Sequence, residues 1–489
     1  MKLSITFLLF LGYFFSFSQT NVEISDPISV TNNSNEYGRN LPKIEMLNDG
    51  RIIVFWSKYY GSSKLYLAIQ DGDGFTDPIQ VPTGSVIPNV WGFGMGPDFV
   101  VKDSVIFVTF EKYGDAIYCV KSTDLGQSFS DPVVVYEPPV GRRATLPAIA
   151  ISNDYNPAVS FITTNTFEQD AEYVVVSSTD MGETYGDTVI ASAAASGDEV
   201  CECCLSGLMI NNDGDYFLSF RNNDDNVRDI WVSKSSDNGL SFPVATDVDE
   251  TNWIIQGCPS TGPQSFDMGT ELANVFFSGA AGFDHGVYIS TLNKETMIAG
   301  ETLKLPTIDG LDNLQNFPRI DGNEDTLGVV WHESVSGNRE VILAYSVDGI
   351  MSLLENEVNM SDMIGQQSYP DIVYKNGKYH IVYEDTDSGT VMYQVASLLE
   401  PVDLIDLSDQ KERLRVYPNP TNNLVTVELV DNKINNSKLI ISDVTGRVYY
   451  QKAPTTSKIN IEVGGWKRGV YIVVIQSNKH KLYHKLIIN

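Results

Sequence analysis

The sequence predicts an all-β fold built from one repeated unit. An eight-residue phrase of the form Ser-x-Asp-x-Gly-x-Ser/Thr-aromatic begins at Ser122, Ser178 and Ser235, at steps of 56 and 57 residues. Each copy follows a run of apolar, β-branched residues, so it falls in a turn between strands, where Asp caps nearby amides and Gly takes positive φ. Repetition at this spacing indicates stacked β-sheet units.

The wider repeat predicts how many units there are. Opening strands can be placed near Pro42, Pro97, Pro147, Cys204, Pro263, Pro318 and Pro370. Spacings of about 50 to 60 residues, with alternating apolar second strands, are typical of four-stranded blades. We therefore predict a seven-bladed β-propeller, and a six-bladed ring is the alternative if one weak unit is something else.

The ends of the repeat region predict how the ring closes. The seventh unit supplies three strands before the chain leaves near Leu399, whereas the segment from Asp26 (DPISVT) has the pattern of a closing strand. We expect this N-terminal strand to complete the last blade, because an open ring would expose two unpaired edges.

The three phrases resemble the Asp box of the sialidase superfamily of β-propellers. The resemblance covers roughly residues 30 to 395 at the level of the fold. In that family the Asp-box turn is structural and lies on the face opposite the binding pocket. The resemblance therefore implies a fold and does not by itself imply an activity.

The two ends of the chain indicate export. Residues 1–18 have the lysine, apolar stretch and small residues of a signal peptide, and the propeller is predicted over 19–400 with a linker at 401–414. Residues 415–489 predict a small β-sandwich, and the motifs from Tyr417 (YPNP), Asp443 (DVTGR) and Lys467 (KRGVYIV) resemble the C-terminal sorting domain of type IX secretion. This implies a secreted or cell-surface protein that passes the periplasm and outer membrane and engages the type IX machinery.

Charge and hydropathy exclude two classes of partner. The formal net charge is −30, and residues 3–410 carry 19 Lys and Arg against 58 Asp and Glu. Such a field repels polyanions, which excludes nucleic acid. After residue 18 there is no apolar stretch long enough for a spanning helix, so we expect no membrane-spanning segment, and we expect a monomer.

Polar residues at the pocket-side ends of the strands are the candidates for function. Sialidases hold a sugar carboxylate with three arginines and use a Tyr activated by a Glu, and the resemblance implies Arg39, Arg221 and Arg319 for the first role and Tyr369 for the second. The remaining candidates are Arg228, Asp229 and His332 for binding and Glu202, Glu333 and Glu384 as carboxyl groups for cleavage.

These candidates support the hypothesis of a sialidase-like propeller that binds a glycan in its central pocket. Whether it also hydrolyses that glycan is left open by the sequence. The first alternative is a non-catalytic adhesion or scaffold module that docks a surface protein. A second alternative is a metal-binding protein. The main hypothesis requires no cofactor.

Four cysteines crowd two segments and leave three chemistries open. Cys201, Cys203 and Cys204 lie in VCECC and Cys258 lies in GCPSTGP. Export permits disulfides, so one prediction is a bridge from Cys258 to Cys203 or Cys204, together with another pairing that uses Cys201. The others are a thiolate site for a metal ion such as copper or zinc, and a redox thiol.

Overall fold

The computed structural model describes residues 22–31, 41–58, 63–90, 96–113, 115–280, 283–311, 313–399, 414–429, 438–443, 447–454, 456–476 and 481–489. The signal peptide, Arg39 and the linker up to residue 413 lie outside these residues. Contacts divide the chain into a compact unit Val22–Leu398 and a second unit that includes Leu399–Asn489.

The described part of Val22–Leu398 forms seven antiparallel sheets. Helical structure among its described residues is one 3-10 turn, Ile350–Leu354, and no described helix is long and apolar enough to cross a bilayer. The strands, numbered in chain order, are β1 (Val22–Ile24) and β2 (Ile28–Ser29); in sheet one β3 (Lys43–Met46), β4 (Ile52–Lys58), β5 (Lys64–Asp71), β6 (Gly74–Phe75) and β7 (Ile79–Val81); in sheet two β8 (Asp98–Lys102), β9 (Val105–Glu111), β10 (Ile117–Ser122) and β11 (Val133–Tyr136); in sheet three β12 (Arg142–Ile151), β13 (Pro157–Asn165), β14 (Glu172–Ser177) and β15 (Val189–Ile190); in sheet four β16 (Glu199–Val200), β17 (Gly207–Ile210), β18 (Tyr216–Asn223), β19 (Ile230–Ser235) and β20 (Val244–Asp247); in sheet five β21 (Gln264–Asp267), β22 (Glu271–Ala280), β23 (Phe283–Asn293) and β24 (Leu303–Lys304); in sheet six β25 (Gln315–Asn323), β26 (Thr326–Val335), β27 (Asn338–Tyr345) and β28 (Glu357–Asn359); in sheet seven β29 (Gln367–Lys375), β30 (Lys378–Asp385) and β31 (Thr390–Leu398).

Apolar side chains on both faces of each sheet form cores between successive sheets. Six such clusters join each sheet to the next, and a seventh joins sheet seven to sheet one through residues such as Val382 and Val54. The second and third strands of each sheet are therefore apolar on both faces rather than alternating with solvent.

The N-terminal strands add to sheet seven, as the sequence pattern predicts. Strand β1 pairs antiparallel with β31 from Val22 opposite Leu398, and β2 pairs with Tyr393 and Met392 of the same strand. Next to it, the backbone N–H of Ile44 in sheet one donates to Asp371 Oδ2 in sheet seven at 3.0 Å. The pairing with β1 and β2 covers the edge of β31 that would otherwise be open, and the Ile44–Asp371 bond joins the opposite side of sheet seven to sheet one.

The three repeated phrases fold into the same hydrogen-bonded turn. In the copy from Ser178, the Ser178 hydroxyl donates to Asp180 Oδ1 at 2.8 Å and accepts from the N–H of Gly182, while the hydroxyl of Thr184 donates to Asp180 Oδ2 at 2.6 Å. The corresponding bonds occur in the copies from Ser122 and Ser235.

The C-terminal unit contains two antiparallel sheets with their own core. The strands are β32 (Leu414–Tyr417), β33 (Leu424–Leu429), β34 (Lys438–Asp443), β35 (Val448–Lys452), β36 (Lys458–Glu462), β37 (Gly469–Gln476) and β38 (Lys481–Ile488). One sheet has the order β32-β33-β36 and the other the order β35-β34-β37-β38, and Tyr449, Trp466 and Tyr471 pack against one another beside the core.

Candidate functional site

A cavity of about 390 Å³ is lined by the first long strand of every sheet, namely β3, β8, β12, β17, β21, β25 and β29. Its ionisable lining comes from four of these strands. The residues are Lys43, Glu45, Asp98, Arg319, Asp321 and Asp371. The seven strands that surround this cavity bring together segments more than 300 residues apart in the sequence, such as Lys43 and Asp371.

Most polar side chains of this cavity hold neighbouring sheets together. Asp98 Oδ2 accepts from the N–H of Ile149, and its Oδ1 pairs with Lys43 Nζ at 2.6 Å. Glu45 is surrounded by carboxylates, and burial first, then the charges of Asp321 and Asp371, raise the pKa of its carboxyl group. The carboxylates of the lining therefore serve mainly to join neighbouring sheets, and the cavity is not a free anionic binding site.

Arg319, a predicted ligand-binding residue, lines this cavity. Its guanidinium donates to the carbonyl of Pro318 at 3.1 Å. Burial raises the pKa of the nearby Asp371, and the positive charge of Arg319 opposes that rise. Arg319 thus faces a cavity in which it balances part of the carboxylate charge.

The four cysteines of the two segments meet between sheets four and five. Cys203 and Cys258 form a disulfide, which is one of the two bridges predicted for Cys258, and the further pairing predicted for Cys201 is not formed. Cys201 and Cys204 are free thiols, with 3.1 Å between their sulfur atoms, and Cys201 Sγ lies 3.7 Å from Cys203 Sγ. All four sulfur atoms lie within 4.8 Å of one another, which also is the spacing of a possible metal-ligand group.

Arg228 and Glu202 lie against the sulfur cluster. Arg228 is buried and its Nη1 donates to Cys201 Sγ at 3.0 Å and to Glu202 Oε2 at 3.3 Å. Glu202, a predicted catalytic carboxylate, is half-buried and forms an ion pair with this arginine. This ion pair fixes the VCECC segment to the turn between β18 and β19, in which Arg228 lies.

Arg221 and Asp229 are buried close to Arg228 and the sulfur cluster. Arg221 is fully buried, with Nη1 donating to the carbonyl of Arg228 at 2.6 Å and Nη2 donating to that of Phe277 at 2.5 Å. Asp229 Oδ1 accepts from the N–H of Trp253 at 2.7 Å, and burial, helped by the charge of Asp249, raises the pKa of Asp229 to about 7. Arg221 and Asp229, predicted to bind ligand, are thus placed inside the joint between sheets four and five.

A second cluster contains two further predicted residues, His332 and Tyr369. Their rings lie 5.7 Å apart between centroids, and both contact Phe317, at 5.1 Å and 4.9 Å respectively. The backbone N–H of Tyr369 donates to His332 Nδ1 at 3.3 Å. Burial, and then the charge of Arg339, lowers the pKa of His332 to about 3, so this imidazole is neutral at physiological pH.

Phe317 and Tyr369 occupy equivalent positions at the start of β25 and β29. Each precedes a proline, and each has left-handed backbone, with φ of 55° and 52°. A register shift in the strand pairing follows from this irregularity in both sheets. The aromatic residue before Pro in FPRI and YPDI is the sequence signal for this cluster, and Phe317 is the functional candidate that the predicted site residues did not include.

The other predicted carboxylates lie inside the sheets. Glu333 is fully buried and accepts from Trp331 Nε1 at 3.0 Å, Asn313 Nδ2 at 2.8 Å and the N–H of Ile308 at 3.1 Å. Glu384 is also buried. Arg39 lies outside the described residues.

Comparison with known proteins identifies the C-terminal unit. Residues 415–489 match the family described as the secretion system C-terminal sorting domain. These residues are a type IX sorting domain. The sorting domain directs the protein to the cell surface or to secretion, which confirms the predicted export. No curated protein matches the chain.

Solved structures share the fold of the larger unit. An ulvan lyase, described as a new family of polysaccharide lyase, is 10% identical with a TM-score of 0.50, covering 78% of this chain and 99% of its own. A protein of unknown function from Dyadobacter fermentans is 13% identical (TM-score 0.45; 77% and 99% covered), and a Trypanosoma rangeli sialidase is 9% identical (TM-score 0.43; 96% and 89% covered). The larger unit of the exported protein therefore has an all-β, propeller-like fold, N-terminal to the sorting domain.

Proposed function

We propose that the exported propeller binds a neutral glycan at the aromatic cluster of Phe317, His332 and Tyr369. The observation that carries this proposal is the ring geometry. Two half-buried aromatic rings from neighbouring sheets meet at 4.9 Å, two residues before Arg319 and Asp371 of the central cavity. Partly exposed aromatic faces at the edge of a cavity are suited to stack on the apolar face of a sugar ring.

The charge distribution favours a neutral sugar over an acidic one. The net charge of the chain is −30, which disfavours the approach of an acidic sugar, and the imidazole of His332 adds no positive charge to the aromatic cluster at neutral pH. Arg339, half-buried beside the cluster, donates from Nη1 to Ser368 Oγ at 2.9 Å and remains oriented by that bond. Its other N–H groups are suited to hydrogen bond with sugar hydroxyls.

The proposal places ligand contact away from the residues between sheets four and five. Arg221, Arg228 and Asp229 are buried and bonded to backbone or sulfur atoms, and we assign them to holding that joint. The proposal also concerns binding alone. Hydrolysis would need two carboxyl groups facing one sugar, and Glu202 is already paired with Arg228.

We also propose that the seven sheets are the blades of one closed ring. Support comes from the core cluster shared by sheets seven and one and from the Ile44–Asp371 hydrogen bond between them. A central cavity lined by all seven first strands supports the same arrangement. In such a ring the starts of β25 and β29 are neighbours at one mouth of the cavity.

A thermal-shift assay with a glycan panel tests the binding proposal. Neutral oligosaccharides, such as those of glucose, mannose, galactose and xylose, should include at least one that raises the melting temperature of the full chain, while sialyllactose and ulvan fragments should not. Tyr369→Ala should abolish the shift and Tyr369→Phe should retain it, because stacking needs the ring and not the hydroxyl. Phe167→Ala removes an exposed aromatic of sheet three and is the matched control.

Two results would overturn the proposal. One is a panel in which no neutral glycan shifts the transition, which would leave the adhesion module as the better hypothesis. The other is a shift that survives both Phe317→Ala and Tyr369→Ala, which would move the glycan site elsewhere on the molecule.

A further inference from the structure

The sulfur cluster combines a buried dithiol with a disulfide that reaches the surface. Cys201 and Cys204 are fully buried, Cys203 is half-buried and Cys258 is exposed. Cys201 Sγ lies 3.1 Å from Cys204 Sγ on one side and 3.7 Å from Cys203 Sγ on the other. The sulfur atoms thus form a short path from the interior to solvent, with Cys201 in the middle.

Two buried arginines stabilise negative charge on this dithiol. Arg228 Nη1 lies 3.0 Å from Cys201 Sγ, and Arg221 lies beside Cys204. The Nε atoms of both arginines are buried without a hydrogen-bond partner, so both guanidinium groups are incompletely compensated by the protein. A buried cation of this kind favours the thiolate, which is the nucleophile in thiol–disulfide exchange.

The two thiols are not equivalent. Burial raises the pKa of Cys204, but the hydrogen bond from Cys201 and the charge of Arg221 outweigh it, and the pKa falls to about 7. The pKa of Cys201 is raised, chiefly by its hydrogen bond to Cys204 and by burial. The two sulfur atoms thus share a proton across their 3.1 Å contact.

We propose that these four cysteines form a thiol–disulfide exchange site, in which the buried pair Cys201 and Cys204 exchanges with the surface disulfide Cys203–Cys258. This activity is independent of glycan binding, because the cluster lies between sheets four and five. Its substrates in solution are thiols and disulfides small enough to reach Cys258.

The exchange is balanced within the protein. Cys201 releases its proton to water, and its thiolate, paired with Arg228 Nη1, attacks Cys203 Sγ, so that a Cys201–Cys203 bond forms and Cys258 leaves as a thiolate that takes a proton from water. Cys204 then releases its proton to water and attacks Cys201 Sγ, which displaces Cys203 as a thiolate that is protonated in turn. Two electrons move from the buried pair to the surface pair, and no external oxidant is needed.

Alkylation of the folded full-length protein tests the exchange. N-ethylmaleimide is added without denaturant, the reaction is quenched with acid, and labelled cysteines are located by peptide mass spectrometry. We expect about one equivalent of label at Cys258, further label at Cys203, and a Cys201–Cys204 disulfide in the product. Cys119 is the internal control, since burial raises the pKa of its thiol to about 12 and it should stay unlabelled until the protein unfolds.

Two variants separate the steps. Cys204→Ser should stop after the first step, with one equivalent of label at Cys258 and a trapped Cys201–Cys203 disulfide. Cys201→Ser removes the attacking sulfur and should leave Cys258 unlabelled. Cys119→Ser is the matched control and should label as the natural chain does. The wild-type labelling alone decides the question if either variant fails to fold.

Three results would overturn the proposal. Cys258 could stay unlabelled in the folded wild-type protein while Cys201 and Cys204 label only on unfolding, which would make the Cys203–Cys258 bridge purely structural. The purified protein could hold two disulfides and no thiol besides Cys119. Elemental analysis could find a stoichiometric metal ion that protects all four cysteines until a chelator removes it, which would make the cluster a metal site.

Discussion

At the scale of single residues, burial decides what each predicted side chain does. Arg221 and Asp229 end and begin adjacent strands, and the sequence predicts that such strand-end polar residues line a pocket. In the structure these side chains are buried between sheets four and five, where both terminal nitrogens of Arg221 donate hydrogen bonds to carbonyl oxygens. The sequence pattern predicts that a residue lies at a particular end of a strand, but it does not predict whether a neighbouring sheet buries that residue.

Asp229 makes a pH-dependent contribution that can be measured. Its folded pKa of about 7 lies above the value of about 3.9 usual for an unfolded chain. Between these values the folded state holds a proton that the unfolded state releases, so the unfolding free energy falls as pH rises toward 7. This contribution is fully favourable below the unfolded pKa and is lost above the folded one.

We therefore expect Asp229→Asn to raise the unfolding free energy at pH 8 by on the order of 2 kcal/mol and to leave it nearly unchanged near pH 4. Asparagine keeps the oxygen that accepts from Trp253 N–H. Urea unfolding at several pH values measures the effect, and Asp187→Asn, at an exposed aspartate, is the control. Equal effects of Asp229→Asn at pH 4 and pH 8 would contradict the raised pKa.

At the scale of elements, the repeated turn joins neighbouring sheets. Gly182 has φ of 77°, and a Cβ atom there would lie 2.7 Å from Cε1 of Phe107, which belongs to sheet two. Gly269, in the turn of another sheet, has φ of 96° and nothing within 4 Å of the position of a Cβ atom. The two glycines share the left-handed backbone and differ in their surroundings.

This difference predicts the cost of two matched substitutions. Gly269→Ala should lower the unfolding free energy by about 1 kcal/mol, the cost of left-handed backbone alone. Gly182→Ala should cost a further 1 to 3 kcal/mol or so, because its methyl group overpacks against Phe107. Chemical unfolding of both variants measures this, and equal losses would show that the turn does not press on sheet two.

How far the elements follow from the sequence depends on how local their cause is. The opening strands at Pro42, Pro318 and Pro370 and the closing strand near Asp26 were predicted from turn chemistry and alternation, which act over a few residues. The sequence does not decide whether Cys258 pairs with Cys203 or with Cys204, because two adjacent cysteines differ only in the direction in which the folded backbone points their side chains. Phe317 was passed over because an isolated aromatic residue is ordinarily part of a core.

At the scale of the whole molecule, strands from the two ends of Val22–Leu398 share one sheet. Strands β1 and β2 pair with β31, and Val22, Ile24 and Ile28 add apolar surface to the cores on either side. Stability of the larger unit therefore depends on a short segment remote in sequence from its partner. The pairing also protects β31, whose outer edge is otherwise a free ladder of N–H and C=O groups.

Removal of this segment tests that dependence. A chain that begins at Val30 should lose roughly 3 to 6 kcal/mol of unfolding free energy relative to one that begins at Val22, because three apolar side chains lose their partners. It should also associate in a concentration-dependent way, since the exposed edge of β31 can pair with a second copy. Unfolding midpoints and light scattering coupled to size-exclusion chromatography measure the two effects. An unchanged midpoint in a monomeric product would mean that sheet seven is stable with three strands and that closure rests on the Ile44–Asp371 contact and the shared core instead.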